Sequence, residues 1–328
     1  MKINSTSKDG WKVNKQVAGE NFDGSRFVNK AKGFETPSQL PDTDKLTEEW
    51  QNANKSWWER SPMRYDWREA IPFAEGTKEY FDQVDSRFLE SVRHYLPWHR
   101  YPFEQLIPYD ELRNLDVLEI GVGQGTHAKL IAPHCKSFVG IDLTDKASKA
   151  TRSRFELTGI DGQVHQMDAE KMTFPDQSFD FIWSWGVIHH SSNTGNVLRE
   201  MARVLRTGGR ASVMVYYRSP LQYYLFTGIG RGLLKREFWT VGGIHRINQV
   251  ATDGALARFF SKAEFVKLLK GLFVVENVKV TGQKSDAVPL PHGRLKSFLV
   301  QRVPDRVTRI ATDALRLGTF LIVDMKRI

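Results

Sequence analysis

The sequence predicts a doubly wound α/β fold on a mostly parallel sheet, and three observations carry that prediction. Residues 116–120 read as a buried strand that runs into glycines at alternate positions, Gly121, Gly123 and Gly125, before an amphipathic helical pattern starts at Thr126. From there to Tyr217, strand-like and helix-like stretches alternate, as in right-handed βαβ units whose sheet is covered on both faces. Acidic residues (Glu119, Asp142, Asp168) stand at the carboxyl ends of successive strands, where open α/β sheets hold their ligands.

Composition narrows the class further. The 328 residues suffice for one large domain with a substantial appendage. The net charge of +9 is uneven: from Arg218 onward there are 19 Lys+Arg against 8 Asp+Glu, leaving 28 against 30 in the first 217 residues. A basic C-terminal third either steers an anionic partner or is a solvated surface. Cys135 is the single cysteine, which excludes an intrachain disulfide and a cysteine-rich metal site; no metal is expected. The N-terminus lacks a signal-peptide pattern, and the longest nearly uncharged apolar run, Leu221 to Ile229, is far below the roughly 20 residues that span a bilayer. A cytoplasmic location is expected.

Taken in order, residues 1–50 are polar and without periodicity, and an irregular course is expected. Residues 51–110 crowd Trp, Tyr and Phe together, and Phe81, Val84, Phe88, Leu89 and Val92 share one face of a helix over 78–95; a helical lid is expected there. Residues 111–328 form the third unit. Its strands are expected at 116–120, 137–142, 163–167, 179–184 and 210–217. Helices are expected at 126–134, ended by Pro133, between Thr144 and Gly159, and at 193–206, closed by Gly208-Gly209. Insertions at 218–260 and 281–318 interrupt the rhythm. Between them lie a helix capped by Ser261 with Glu264 three residues on, and a sixth strand at 273–280. Helical pieces are expected at 295–302 and 305–317, and a last strand at 319–325, with 297–303 competing for that place.

A strand, a glycine turn and a helix N-terminus let backbone approach a ligand closely and present free N–H groups. Asp142 can accept two hydrogen bonds from a ribose diol, and Asp168 can accept from an exocyclic amine such as adenine N6. Together these acids point to one nucleoside. A nicotinamide-binding fingerprint would place its third glycine where Thr126 stands.

The segments Leu118–Gly125, Val139–Leu143, Met167–Glu170, Phe174–Asp180, Gly186–His190 and Leu198–Gly209 resemble class I S-adenosylmethionine-dependent methyltransferases with a UbiE-like, or type 11, catalytic domain. The resemblance covers about residues 115 to 217 and is specific for the family, not for a substrate; Thr207 departs from the proline usual before the double glycine. It implies a Rossmann-like seven-stranded sheet in the order 3-2-1-4-5-7-6, with only the last strand antiparallel. It implies that Glu119 and the turn Gly121, Gly123 and Gly125 hold the amino-acid end of S-adenosyl-L-methionine. Asp142 would hold the ribose beside Leu143, Asp168 and Ala169 would read the adenine, and Ser184 and Trp185 would lie near the sulfonium. The product would be S-adenosyl-L-homocysteine.

His189 and His190, just after the fourth strand, are candidates for a general base or for orienting the acceptor, since imidazole titrates near neutrality. Packing at the strand exit is the competing reading. The acceptor is expected between strand five and the first insertion, near Tyr216, Tyr217, Arg218, His245, Arg246 and Arg258, with the arginines meeting an anionic group or pinning the cap. A small-molecule acceptor is expected, methylated at oxygen or nitrogen. A nucleic-acid or protein substrate is less favoured, because Ser184-Trp-Gly-Val187 stands where nucleic-acid amino-methylases carry an Asn/Asp-Pro-Pro-aromatic motif. A non-catalytic binding module is the other rival. Leu221–Ile229 with Arg231, Lys235 and Arg236 could rest on an anionic membrane surface; a buried cap helix is the preferred reading.

Overall fold

Residues 30–66, 69–288, 290 and 293–328 are described by a computed structural model. Residues 1–29, most of the stretch expected to be irregular, lie outside the described residues. At the centre of the sheet are β1 (Asp116–Ile120) and β4 (Phe179–Trp185), paired in parallel with Glu119 opposite Trp183. Outward from β1 run β2 (Ser137–Asp142) and β3 (Gln163–Gln166); outward from β4 runs β5 (Leu205–Tyr217). The pair β7 (Phe273–Thr281) and β8 (Phe320–Arg327) completes the order β3-β2-β1-β4-β5-β8-β7, with β8 antiparallel to both neighbours. This is the expected order, plus one short addition: β6 (Phe259–Phe260) pairs in parallel with the end of β5. Two residues carry no period, so that strand is invisible to pattern reading.

Both faces of the sheet are buried. Leu118, Ile120, Ile182, Val213 and Val323 point into one core; Val117, Phe181, Trp183, Met214 and Ile322 point into the other. Strands buried on both faces show continuous apolar runs rather than alternation, as Phe181–Trp183 and Leu321–Val323 do. Helices α3 (Thr126–Ile131), α4 (Asp145–Thr158), α5 (Thr194–Val204) and α8 (Lys262–Leu269) cover it. Thr144 caps α4 by accepting from the Ala147 N–H, Gly159 ends it at φ +65, and Ser261 and Glu264 form a reciprocal capping box on α8.

Three expectations change. The helix expected to run to 206 and close at Gly208-Gly209 ends at Val204, and both glycines lie within β5. Helix α1 spans Asp44–Arg60, so residues 44–50 are helical rather than irregular: Thr43 accepts from the Leu46 N–H, and Trp50 and Asn54 fall on one buried face. The competing strand at 297–303 does not form; α9 (Arg294–Arg302) occupies it. Helix α2 (Lys78–Tyr95) follows the expected face and is tied to the glycine turn through Arg154. That guanidinium is fully buried, bonds Asp85 of α2, and donates to the Gln124 carbonyl at 2.9 Å. The first insertion holds a wide π-type helix (Pro220–Leu234), α6 (Glu237–Thr240) and α7 (Ile244–Ala251); the second adds α10 (Asp305–Arg309).

Candidate functional site

The carboxyl ends of β1 to β5 open into one cavity of about 550 Å³, within the range of roughly 300–1,000 Å³ usual for pockets that enclose small molecules and cofactors. Its first half is the glycine turn. Gly121 has φ +82 and lies so close to Val187 that an added Cβ would sit 2.2 Å from a methyl. Gly125 packs against Thr151 and Arg154. Gly123 differs: at φ +53 an added Cβ would meet nothing within 4 Å, although the residue lines the cavity. It therefore leaves open a space that a ligand can approach without a side chain in the way.

Asp142 turns back on this cradle. Oδ2 accepts from the Gly123 N–H at 3.1 Å, and Oδ1 accepts from the Thr144 N–H (2.9 Å) and hydroxyl (2.8 Å). A carboxylate has about four acceptor positions, so three are filled. Gripping both ribose hydroxyls would require the Gly123 bond to open; a single hydroxyl needs no change. Burial raises the Asp142 pKa, opposed by these donors. Asp168 accepts from Gln51 Nε2 and the Glu170 N–H, both at 2.9 Å and both on Oδ1, which leaves Oδ2 its acceptor capacity. Leu143, Ala169 and Trp185 also line the cavity.

Glu119 and Ser184 do not. Glu119 lies behind the wall with Oε2 unpartnered; burial first, then the Asp142 carboxylate, push its pKa well above the ordinary range, so the protonated form is favoured. Ser184 donates to the Ile120 carbonyl at 3.2 Å, an internal strand-to-strand bond.

The two histidines separate. His190 is on the cavity wall; its Nδ1 donates to the Leu256 carbonyl at 2.8 Å, which leaves the lone pair on Nε2, an atom without a protein partner. Burial lowers its pKa, opposed by Asp253. His189 is enclosed, with neither ring nitrogen partnered, between the His190 ring (4.2 Å) and the Tyr216 ring (3.9 Å). It does not line the cavity.

The arginines expected to meet the acceptor are also elsewhere. Arg218 pairs with Glu264 of the α8 capping box, and Arg246 with Glu35 at 3.1 Å. Arg258 is 2 % exposed and donates to the carbonyls of Pro37, Gln39, Ser191 and Ser192, stapling the N-terminal stretch to the turn after β4. Its guanidinium is consumed by backbone acceptors, which is why a chain-level charge count misplaces it. His245 bonds the Tyr223 hydroxyl inside the cap, and Tyr217 lies off the wall. Of this group only Tyr216 faces the cavity, its hydroxyl donating to Asp253 at 2.9 Å.

The second half of the cavity draws on the aromatic-rich stretch 51–110, expected as a helical lid, and on residues the sequence did not single out. Trp58, Tyr65, Phe88, Tyr95 and Phe320 supply aromatic walls. Lys30 donates to the Thr252 and Gly254 carbonyls and lies 4.6 Å from the Trp57 ring centre, which leaves one of its three N–H donors. Burial lowers its pKa to about 8. Helix α1 closes this end: Gln51 bridges Asp168 and the Ser192 N–H, Asn54 donates to the His190 carbonyl, and Glu59 accepts from the first N–H groups of α4. The spacing of Trp50, Asn54, Trp57 and Trp58 was the available signal for this inward-facing helix. His127, which also faces the cavity, is otherwise surrounded by Phe88, Phe103 and Trp183, and burial drives its pKa down to about 3. Among the described residues no group of three His, Cys, Asp or Glu could hold a metal, and no helix is long and apolar enough to cross a membrane.

A family model described as a methyltransferase domain matches residues 118–213, the run from β1 through β5 that builds the first half of the cavity. YcgJ of Bacillus subtilis (strain 168), an uncharacterized methyltransferase, is 34% identical over 102 residues, 31% of this chain and 40% of that protein. The 27-O-demethylrifamycin SV methyltransferase of Amycolatopsis mediterranei (strain S699) is 32% identical over 100 residues, 30% of this chain and 37% of its own length. The chain thus spans about two fifths of these curated relatives. Among solved structures, geranyl diphosphate C-methyltransferase of Streptomyces coelicolor A3(2), in complex with Mg2+, geranyl diphosphate and S-adenosyl-L-homocysteine, superposes with a TM-score of 0.51. The superposition covers 88% of this chain and 100% of that one at 15% identity, a likeness of fold.

Proposed function

We infer that residues 118–213, which match a methyltransferase domain, form a class I S-adenosylmethionine-dependent methyltransferase unit, and that the whole chain methylates a small-molecule acceptor at oxygen or nitrogen. The observation that carries this reading is the sharing of one cavity by the Gly123 cradle, Asp142 and Asp168 on one side and His190, whose buried Nε2 has no protein partner, on the other. When bound, the cofactor supplies a sulfonium methyl, already an activated electrophile. The chain's own contribution is then position and proton removal. Holding a nucleophile about 3–3.5 Å from its target can supply roughly 7–11 kcal/mol of the barrier. Gly123, Asp142, Thr144 and Asp168 hold the nucleoside, and the aromatic walls hold the acceptor and exclude water. His190 Nε2 takes the proton from an acceptor hydroxyl as its oxygen forms the new bond, and the Leu256 carbonyl and Asp253 stabilise the resulting imidazolium. Because burial keeps the imidazole neutral, the base is ready below the ordinary histidine pKa near ~6.5.

Lys30 takes the place foreseen for arginine: its one remaining donor faces a group with oxygen acceptors on the substrate. The decisive measurement begins with calorimetry of the full chain with S-adenosyl-L-homocysteine. Turnover of S-adenosyl-L-methionine with a panel of hydroxyl- and amine-bearing aromatic acceptors follows. Binding, with kcat reduced about 10²-fold or more in His190→Gln, is expected; Lys30→Met should raise KM for anionic acceptors only. No binding of the nucleoside by folded protein would overturn the proposal, and unchanged kcat in His190→Gln would remove the base.

A further inference from the structure

The first insertion leaves a surface that the catalytic reading does not use. The helix over residues 220–234 has i→i+5 bonding, so residues four and five apart share a face. Leu225, Ile229, Leu233 and Leu234 form such a stripe, and all are exposed, Leu234 at 78%. A buried cap helix was the expected reading of this stretch; only its opposite face, Tyr223, Thr227, Gly228 and Gly232, is buried. That face is held by polar bonds to α7, with the Thr227 hydroxyl donating to Asn248 Oδ1 at 2.9 Å. Helix α6 packs beside it, since the Phe238 ring would lie 2.3 Å from a Cβ on Gly232, and it places Trp239, 72% exposed, next to the C-terminal end of the stripe.

Cations border the stripe. Lys235 and Arg236 are exposed immediately after Leu234. Helix α9 approaches from the side, with Lys296 Nζ 5.8 Å from the Phe226 ring centre and with Arg294, Leu295, Phe298 and Arg302 exposed. The acid within the π-type helix and α6 is Glu237, and it is neutralised by Arg231 at 2.6 Å.

We propose that this face is a docking surface for an anionic lipid bilayer, with Leu225, Ile229, Leu233, Leu234 and Trp239 entering the headgroup boundary and Lys235 and Arg236 meeting lipid phosphates. Apolar side chains ringed by Lys and Arg, with Trp at the edge, match the interfacial region of a membrane. A second copy of the chain fits less well, because a two-fold contact sets the patch against itself and brings like charges together. A polynucleotide would leave the apolar centre unmatched. The surface is one helix away from the cavity: α7 packs on the π-type helix, and its end, with Val250, Ala251 and Thr252, lines the cavity wall. Docking would bring that wall to the bilayer.

Flotation of the full chain with phosphatidylcholine vesicles, with and without 30% phosphatidylglycerol (an illustrative content of about one lipid in three), tests this independently of catalysis. The native chain should float with the anionic vesicles, and much less at high salt. Leu233→Ser with Leu234→Ser, and separately Lys235→Glu with Arg236→Glu, should each weaken vesicle binding about tenfold or more while leaving S-adenosyl-L-homocysteine binding intact. Three results would overturn the proposal: no flotation of the native chain, flotation indifferent to both double variants, or a concentration-dependent dimer in solution that the serine variant abolishes, which would assign the face to self-association.

Discussion

The contrast between Gly123 and Gly121 isolates the cofactor cradle from the stability of the fold. Both residues have positive φ, so alanine at either carries a left-handed backbone cost of about 1–2 kcal/mol. At Gly123 that is nearly the whole structural cost, since the new methyl meets nothing within 4 Å. At Gly121 the methyl would lie 2.2 Å from one Val187 methyl and 2.9 Å from Val187 Cβ, so rotation of the side chain cannot relieve the clash and the turn must shift. Overpacking of this kind adds about 1–3 kcal/mol, giving roughly 2–5 kcal/mol in total. With a domain of this size losing about 2–4 °C per kcal/mol, Gly123→Ala should melt within some 8 °C of the native chain. Gly121→Ala should fall by up to about 20 °C on the same scale. Ligand binding should rank the other way among folded variants. A methyl in the Gly123 space displaces a nucleoside placed against the turn, and a 1–3 kcal/mol loss is about 5- to 150-fold in affinity for S-adenosyl-L-homocysteine by calorimetry. If Gly123→Ala melts near the native chain and still binds the nucleoside with native affinity, the turn is not the cradle.

Two further outcomes follow from buried charge and buried imidazole. Arg258→Met leaves the carbonyls of Pro37, Gln39, Ser191 and Ser192 without their donor, so chemical denaturation should show a loss of about 3–5 kcal/mol. An unchanged midpoint would show that the staple contributes little. His127 has its folded pKa depressed to about 3 against about 6.5 unfolded, so between those values the unfolded chain takes a proton that the folded chain refuses, and stability falls as pH drops below 6.5. The swing at pH 5 is about 2 kcal/mol. Buried carboxyls with raised pKa, Glu119 and Asp142, act in the opposite sense, so the comparison must be differential: His127→Phe should be about 2 kcal/mol less sensitive than the native chain between pH 7.5 and pH 5. Parallel pH profiles would refute it.

What the amino-acid order determines alone is the sheet and most of the first half of the cavity, where Gly121, Gly123, Asp142, Leu143, Asp168, Ala169 and Trp185 line the wall while Glu119 and Ser184 do not. Strands buried on both faces announce themselves as apolar runs, helix ends as Thr144, Gly159 and Ser261, and the close approach as Gly121 and Gly123, because each signal acts over a few neighbouring residues. The order β3-β2-β1-β4-β5-β8-β7 follows from those runs and the resemblance they carry. The second half was legible only in part: Tyr216 and an aromatic lid over residues 51–110 were expected, but Lys30, Asp253 and Phe320 share no period with them and meet them only when α1 and α2 close over the sheet. Charge was the most misleading local signal. Arg218, Arg246 and Arg258 look like an anion site in sequence, yet Glu264, Glu35 and four backbone carbonyls claim them, whereas the single Lys30 reaches the wall. Neighbouring His189 and His190 likewise look equivalent until the turn after β4 sends one ring into the packing against Tyr216 and the other to the cavity. Whether a polar side chain is available for chemistry depends on which donors and acceptors the folded chain brings to it, and those partners come from far along the sequence.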